Sequence, residues 1–210
     1  MLSIALPKGR LGSDVYALFQ NMGYGVNGMD DDTRKLVFEN SDRGVRYLLV
    51  KPSDVAIYVE HGAADLGIVG RDILLETKPG VYELLDLGLG ACGICTAAPE
   101  GYVENESVPL RVATKYTNIT RDYFSKKNRN VEIIKLNGSV ELAPILGLSD
   151  IIVDIVETGS TLRENHLEVL TVITNSTARL IANKSSYKFE TASMDSICGE
   201  LERFLREGVK

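Results

Sequence analysis

Ser149-Asp150-Ile151-Ile152-Val153-Asp154-Ile155-Val156-Glu157-Thr158-Gly159-Ser160-Thr161-Leu162 decides the reading of this chain. Ile151 to Val156 is a largely apolar, β-branched run of strand length, Glu157 to Thr161 is a loop rich in hydroxyls with one glycine, and polar residues with helical spacing follow. Strand, loop and helix in that order are the repeating half of an α/β fold. The loop gathers unpaired backbone N–H groups and the hydroxyls of Thr158, Ser160 and Thr161 at the positive end of a helix, an arrangement suited to a phosphate monoester. Asp154, near the carboxyl end of the strand, can accept hydrogen bonds from a ribose diol whose 5-phosphate sits in the loop. The same pattern also describes an ordinary strand-to-helix turn with good capping residues.

Working outward, the alternation recurs. Upstream, Leu110 to Lys115 reads as a strand, Thr117 to about Asn128 as a helix, Val131 to Leu136 as a strand and Val140 to Leu146 as a short helix. Near the N-terminus, Leu2 to Leu6 reads as a strand. The helix after it carries Val15, Leu18, Phe19 and Met22 on one face, with Ser13 as N-cap and Gly23 as its stop. Tyr47 to Val50, a helix opened by Lys51-Pro52-Ser53-Asp54 and ending near Gly62, and Asp65 to Gly70 form a strand, helix, strand unit. The polar, proline-bounded stretch Pro99 to Pro109 suits a lobe boundary, and Met194, Cys198, Leu201 and Leu205 share a helical face that packs back on one lobe. The expected fold is α/β, with mixed, largely parallel sheets in two lobes: 1–90 plus 180–210 as the first, 91–179 as the second.

Composition narrows the functions. With 210 residues, of which 44% are hydrophobic, one globular unit or two small lobes can form. Twenty-three Lys and Arg against 29 Asp and Glu leave a formal net charge of −6, so no global field favours nucleic acid, and a polyanion ligand needs local cations or a metal. Met1 to Lys8 lacks a basic region before its short apolar run, and no run approaches the ~18 residues of a membrane span. Three cysteines, an odd number, point to a reducing cytoplasm.

Two motifs mislead. Gly88-Leu89-Gly90-Ala91-Cys92-Gly93 matches a dinucleotide fingerprint, but the strand-like, proline-stopped Ile94 to Pro99 follows where a helix must open. Cys92-Gly93-Ile94-Cys95 has no second cysteine pair to complete a zinc site and no helix to lower a thiol pKa. His61 and His166 lack metal-ligand spacing and read as helix-end or loop residues.

A second anion-ready cluster is Pro7-Lys8-Gly9-Arg10-Leu11-Gly12, which places two cations at the carboxyl edge of a sheet, where open α/β folds bind ligands. Thr33-Arg34-Lys35-Leu36 and Gly70-Arg71-Asp72 add cations near strand ends. Singly, each is an ordinary solvated charge. One such loop in each lobe suggests two anionic substrates meeting in a cleft.

With these residues in order, the chain resembles the short form of the ATP phosphoribosyltransferase family. The resemblance is carried by Leu6 to Leu11, Thr33 to Leu36, Ser53 to Val55, Tyr58 to Gly70, Ala113 to Tyr116, Asn137 to Pro144 and Asp154 to Leu162. It implies a fold similar to the periplasmic-binding-protein type II architecture. It also implies transfer of a phosphoribosyl group from 5-phosphoribosyl 1-diphosphate to N1 of the adenine of ATP, with Mg²⁺ and release of pyrophosphate. By the family pattern, Arg10 and Arg34 hold the pyrophosphate, Thr158 to Thr161 the 5-phosphate, and Asp154 the ribose hydroxyls, with Glu157 beside them as a further substrate-binding residue. Lys8, Leu11, Gly70, Arg71 and Asp72 complete the substrate side. The resemblance further implies a homodimer that joins a regulatory subunit related to histidyl-tRNA synthetase, with no nucleic-acid or membrane partner. A solute-binding protein of similar fold is normally exported and larger, and a regulatory nucleotide-binding module binds ATP without turnover; assaying adduct formation separates the three.

Overall fold

The computed structural model describes residues 1–29 and 34–207. In chain order they form β1 (Leu2–Pro7), α1 (Arg10–Phe19), β2 (Val37–Asn40), β3 (Val45–Val50), α2 (Val55–Glu60), β4 (Leu66–Gly70), α3 (Arg71–Thr77) and β5 (Val81–Asp86). There follow β6 (Cys92–Pro99), β7 (Leu110–Thr114), α4 (Thr117–Lys126), β8 (Val131–Lys135), α5 (Leu142–Ile145), β9 (Ile151–Val156) and α6 (Ser160–Glu164). β10 (Leu167–Ser176), β11 (Ala178–Asn183), α7 (Lys184–Phe189) and α8 (Thr191–Glu207) complete the chain. No helix among the described residues is long and apolar enough to cross a membrane.

Contacts divide the chain into two compact units. Unit 1 comprises residues 1–74, 78–90 and 177–210; unit 2 comprises 75–77 and 91–176. The sequence closes the second lobe at 179, but residues from Thr177 belong with unit 1 because β11 lies antiparallel between β4 and β5.

Unit 1 holds a six-stranded sheet in the order β2-β3-β1-β4-β11-β5. β1 pairs in parallel with β3 and β4, and antiparallel strands flank this trio. A strand covered on both faces reads as a continuous apolar run rather than an alternating one, and β1 shows why. Leu2, Ile4 and Leu6 point into one hydrophobic cluster and Ala5 into another. The larger cluster takes Val15, Tyr16 and Phe19 from α1 and Met194, Ile197 and Leu201 from α8, with Cys198 and Leu205 at its margin. The Tyr16 and Phe19 rings meet Tyr47 edge-on at 5.6 and 5.8 Å. The buried Tyr47 hydroxyl donates to the Tyr24 carbonyl at 3.0 Å, and burial pushes its pKa up.

Unit 2 holds a five-stranded sheet, β10-β6-β9-β7-β8, in which β9, β7 and β8 are parallel while β6 pairs antiparallel with both β9 and β10. Ile94, Val112, Ile151 and Val153 bury one face against α4, and Ala97, Ala113, Ile152 and Leu162 bury the other. Glu76, part of this unit, caps α4: its carboxylate accepts the N–H groups of Asn118 and Ile119 at 3.0 Å.

Three local expectations change. Helix α1 is capped by Gly9, not Ser13, which lies inside it and donates its N–H back to the Gly9 carbonyl at 3.1 Å. The helix after Thr117 stops at Lys126 because Asn128 turns left-handed at φ 53°. The helix read over Val140 to Leu146 shrinks to the four residues of α5.

Candidate active site

In unit 1 the predicted residues gather along one sheet edge. The carboxyl ends of the parallel strands β3, β1 and β4 lie side by side, and Lys8 donates its N–H to the Val50 carbonyl at 2.8 Å, just beyond the paired Pro7 and Val50. Gly9, at φ 97°, swings the chain from β1 into α1, so Lys8, Gly9 and Arg10 stand exposed at the turn. Leu11 turns the other way, against the core. A Cβ on Gly12 would overlap the Pro7 carbonyl oxygen, so the first turn of α1 is seated directly on the end of β1. Continuing the pairing of Ile4 with Leu66 brings Lys8 level with Gly70. There Gly70 precedes α3, Arg71 donates its N–H to the Thr177 carbonyl at 3.0 Å, and Asp72 is buried in the first turn, in space that a Cβ on Gly70 would fill.

Arg34 reaches the same edge by another route. β2 runs antiparallel to β3, so its beginning lies at the end of β3, and the Leu36 carbonyl accepts the Leu49 N–H at 2.8 Å. Arg34 is exposed two residues before that bond. Thr33 lies outside the described residues.

In unit 2 the equivalent edge carries the hydroxyl-rich loop. Gly159, at φ 71°, is the N-cap of α6, a left-handed position that glycine adopts without steric cost. Thr158 Oγ1 and Ser160 Oγ lie 3.1 Å apart, and Ser160 N–H points at Thr158 Oγ1 at 3.4 Å. Arg163 clamps the turn by donating to the Thr158 carbonyl at 3.0 Å. Glu157, Thr158, Ser160 and Thr161 are all exposed. Helix α6 has only five residues, so a bound anion meets loop N–H groups and hydroxyls more than a helix dipole.

Asp154 is one-fifth exposed and has one oxygen on its own following N–H at 2.8 Å. A second neighbour, to which the sequence alone gives no role, is Lys115 at the end of β7, with Nζ 3.8 Å from Asp154 Oδ1. The two are 39 positions apart, and only the parallel pairing of Thr114 with Val153 brings them together; the sequence signal was Lys115 sitting at a strand end, as Lys8 does.

The misleading motifs resolve as well. Gly88 to Gly93 leads into β6, not a helix, and Cys92, Cys95 and Cys198 all stand outside any disulfide. His61 is the C-cap of α2, and His166 sits in a left-handed turn after α6. Among the described residues no group of three or more His, Cys, Asp or Glu side chains could hold a metal ion.

This arrangement has close relatives. A protein of Brachyspira hyodysenteriae named ATP phosphoribosyltransferase is 61% identical over 206 residues, covering 98% of this chain and 100% of the relative. One of the same name from Caldanaerobacter subterraneus subsp. tengcongensis is 51% identical, covering 99% of each chain. Among solved structures, a chain of the ATP phosphoribosyl transferase (HisG:HisZ) complex from Thermotoga maritima matches with a TM-score of 0.86 at 36% identity, over 99% of this chain and 100% of its own. The fold is therefore the two-lobed, mixed-sheet α/β architecture of the periplasmic-binding-protein type II kind. The family model HisG: ATP phosphoribosyltransferase matches residues 51–203, and with relatives this similar over nearly the whole chain, the chain belongs to the ATP phosphoribosyltransferase family.

Proposed function

We propose that the chain transfers the phosphoribosyl group of 5-phosphoribosyl 1-diphosphate to N1 of the adenine of ATP and releases pyrophosphate, the first step of L-histidine biosynthesis. The observation that carries this is the match, over 98% of the chain at 61% identity, to a protein named for that activity. The two anion-ready edges support it, one in each unit.

In the reaction an N1–C1 bond forms while the bond from ribose C1 to the diphosphate oxygen breaks, its electron pair leaving with pyrophosphate. No protein nucleophile is required, so catalysis is positioning and charge stabilisation. Arg10 and Arg34 suit the leaving group: both are exposed on the edge of unit 1, and a guanidinium stays ionised and grips phosphate oxygens in a bidentate fork. Lys8, Leu11, Gly70, Arg71 and Asp72 belong to the same edge and serve the nucleotide side. In unit 2, Thr158 to Thr161 receive the 5-phosphate and Asp154 the ribose diol, with Glu157 next to the phosphate loop on the substrate side. Mg²⁺ keeps several waters and binds chiefly through substrate phosphates, which fits the described residues, among which no carboxylate cage is found. When bound, it shares the neutralisation of the departing charge.

The named complex of the structural relative supports a HisZ-like regulatory partner; the family resemblance adds that this partner is related to histidyl-tRNA synthetase and joins a homodimer of this chain. Three cysteines outside any disulfide, with burial raising the Cys95 thiol pKa and pushing that of Cys198 up to about 11, suit a reducing cytoplasm. The test is incubation with ATP, 5-phosphoribosyl 1-diphosphate and Mg²⁺, with and without a HisZ-like chain, while following near-ultraviolet absorbance. Adduct formation is expected, and its absence in both arms overturns the reading.

A further inference from the structure

We propose that Lys115 is a positioning residue that holds Asp154 ready for the ribose diol and cancels the carboxylate's repulsion of a phosphate-laden substrate. The proposal deepens, and rests on, the reading of Asp154 as the diol acceptor. β7 lies between β9 and β8 in the sheet, so its end is the middle of the carboxyl edge formed by the three parallel strands. Thr114, fully buried, bridges that edge: its hydroxyl donates to the Val153 carbonyl at 2.6 Å and accepts the Tyr116 N–H at 2.8 Å. The backbone on both sides of Lys115 is thereby tied to the residue before Asp154.

The side chain is guided too. Lys115 Nζ lies 4.7 Å from the centroid of the Tyr116 ring, whose residue is only 1% exposed, and 3.8 Å from Asp154 Oδ1. An exposed ion pair on mobile side chains contributes little. Here the cation rests on a fixed aromatic face, and the carboxylate is four-fifths shielded from water. The chemistry asks for such a neighbour. A carboxylate that must receive a ribose carrying phosphate at one end and diphosphate at the other repels that substrate unless a cation offsets it. At 3.8 Å the pair is loose enough for Asp154 to keep accepting hydrogen bonds.

Titration calorimetry of the full chain with 5-phosphoribosyl 1-diphosphate and Mg²⁺ tests this. Lys115→Met is expected to weaken binding about tenfold, with Lys115→Arg restoring most of the affinity. The decisive arm is the double-mutant cycle with Asp154→Asn. Once the carboxylate is gone, Lys115 has nothing to offset, so the double variant should bind no more weakly than Asp154→Asn alone. Additive losses, or wild-type affinity for Lys115→Met, overturn the proposal. Wild-type affinity for Asp154→Asn instead removes the ribose assignment of Asp154, and the proposal with it. Thermal melts of each variant confirm that affinities are compared between folded proteins.

Discussion

The Pro7 carbonyl oxygen occupies the space that a Cβ on Gly12 would need, so β1 and the first turn of α1 meet without a side chain between them. That contact sets the direction in which Arg10 leaves the sheet edge. Gly12→Ala must push the helix off the strand. Overpacking of this kind costs about 1–3 kcal/mol. We expect a lower thermal midpoint and, well below it, reduced kcat/KM because Arg10 is displaced; a variant that melts like the wild type would show that the helix can shift freely.

Arg34 is exposed and carries no structural load in the core, so its replacement should leave stability unchanged. Losing one contact to the leaving group should cost on the order of 3 kcal/mol in the transition state, about 100-fold in rate. Arg34→Ala is therefore expected to lower kcat more than it weakens substrate binding. Steady-state kinetics with an unchanged kcat would remove Arg34 from the leaving-group role.

Thr161 lies in the first turn of α6 with its side chain exposed, while its backbone carbonyl accepts from the Asn165 side chain at 2.8 Å. Thr161→Ala keeps that backbone bond and deletes the hydroxyl together with the γ-methyl group. Affinity for 5-phosphoribosyl 1-diphosphate should fall about tenfold, as expected for a lost hydrogen bond to a charged group. Calorimetry returning wild-type affinity would take the hydroxyl out of the phosphate loop.

Phe19 is fully buried between Tyr24 and Tyr47. Truncating a buried aromatic removes its apolar burial and leaves a cavity, so Phe19→Ala should cost about 3–5 kcal/mol. Urea titration of the two proteins measures it, and a loss below about 1 kcal/mol would mean that α1 collapses onto the gap.

The side-chain bonds from Arg111 hold the Asp150 carboxyl below its ordinary pKa of 3.8, although partial burial pushes the other way. A carboxyl depressed in the folded state contributes stability that is present above its unfolded pKa and fades as pH falls toward the folded value. Wild-type stability should thus decline as pH drops below about 4, and Asp150→Asn, less stable at neutral pH, should decline less steeply. Parallel slopes for the two proteins between pH 5 and pH 2 would dissociate Asp150 from the acid limb.

Local sequence determined more of this protein than its length suggests. The apolar run Ile151 to Val156 became β9 at the residues expected, the Glu157 to Thr161 turn followed it, and the face through Met194 and Leu201 returned to the core of unit 1. Those features were legible because period, turn chemistry and glycine placement are properties of neighbouring residues. Tertiary structure alone decided which distant strands pair. It inserted β11 between β4 and β5, laid the beginning of β2 beside the end of β3 so that Arg34 reaches the edge that bears Arg10, and set Lys115 beside Asp154. Glu76 caps α4 from about 40 positions away, where a local cap had no residue to supply it. Strand order and register are chosen by backbone hydrogen bonds and core packing summed over the whole sheet, and no short window of sequence holds that sum.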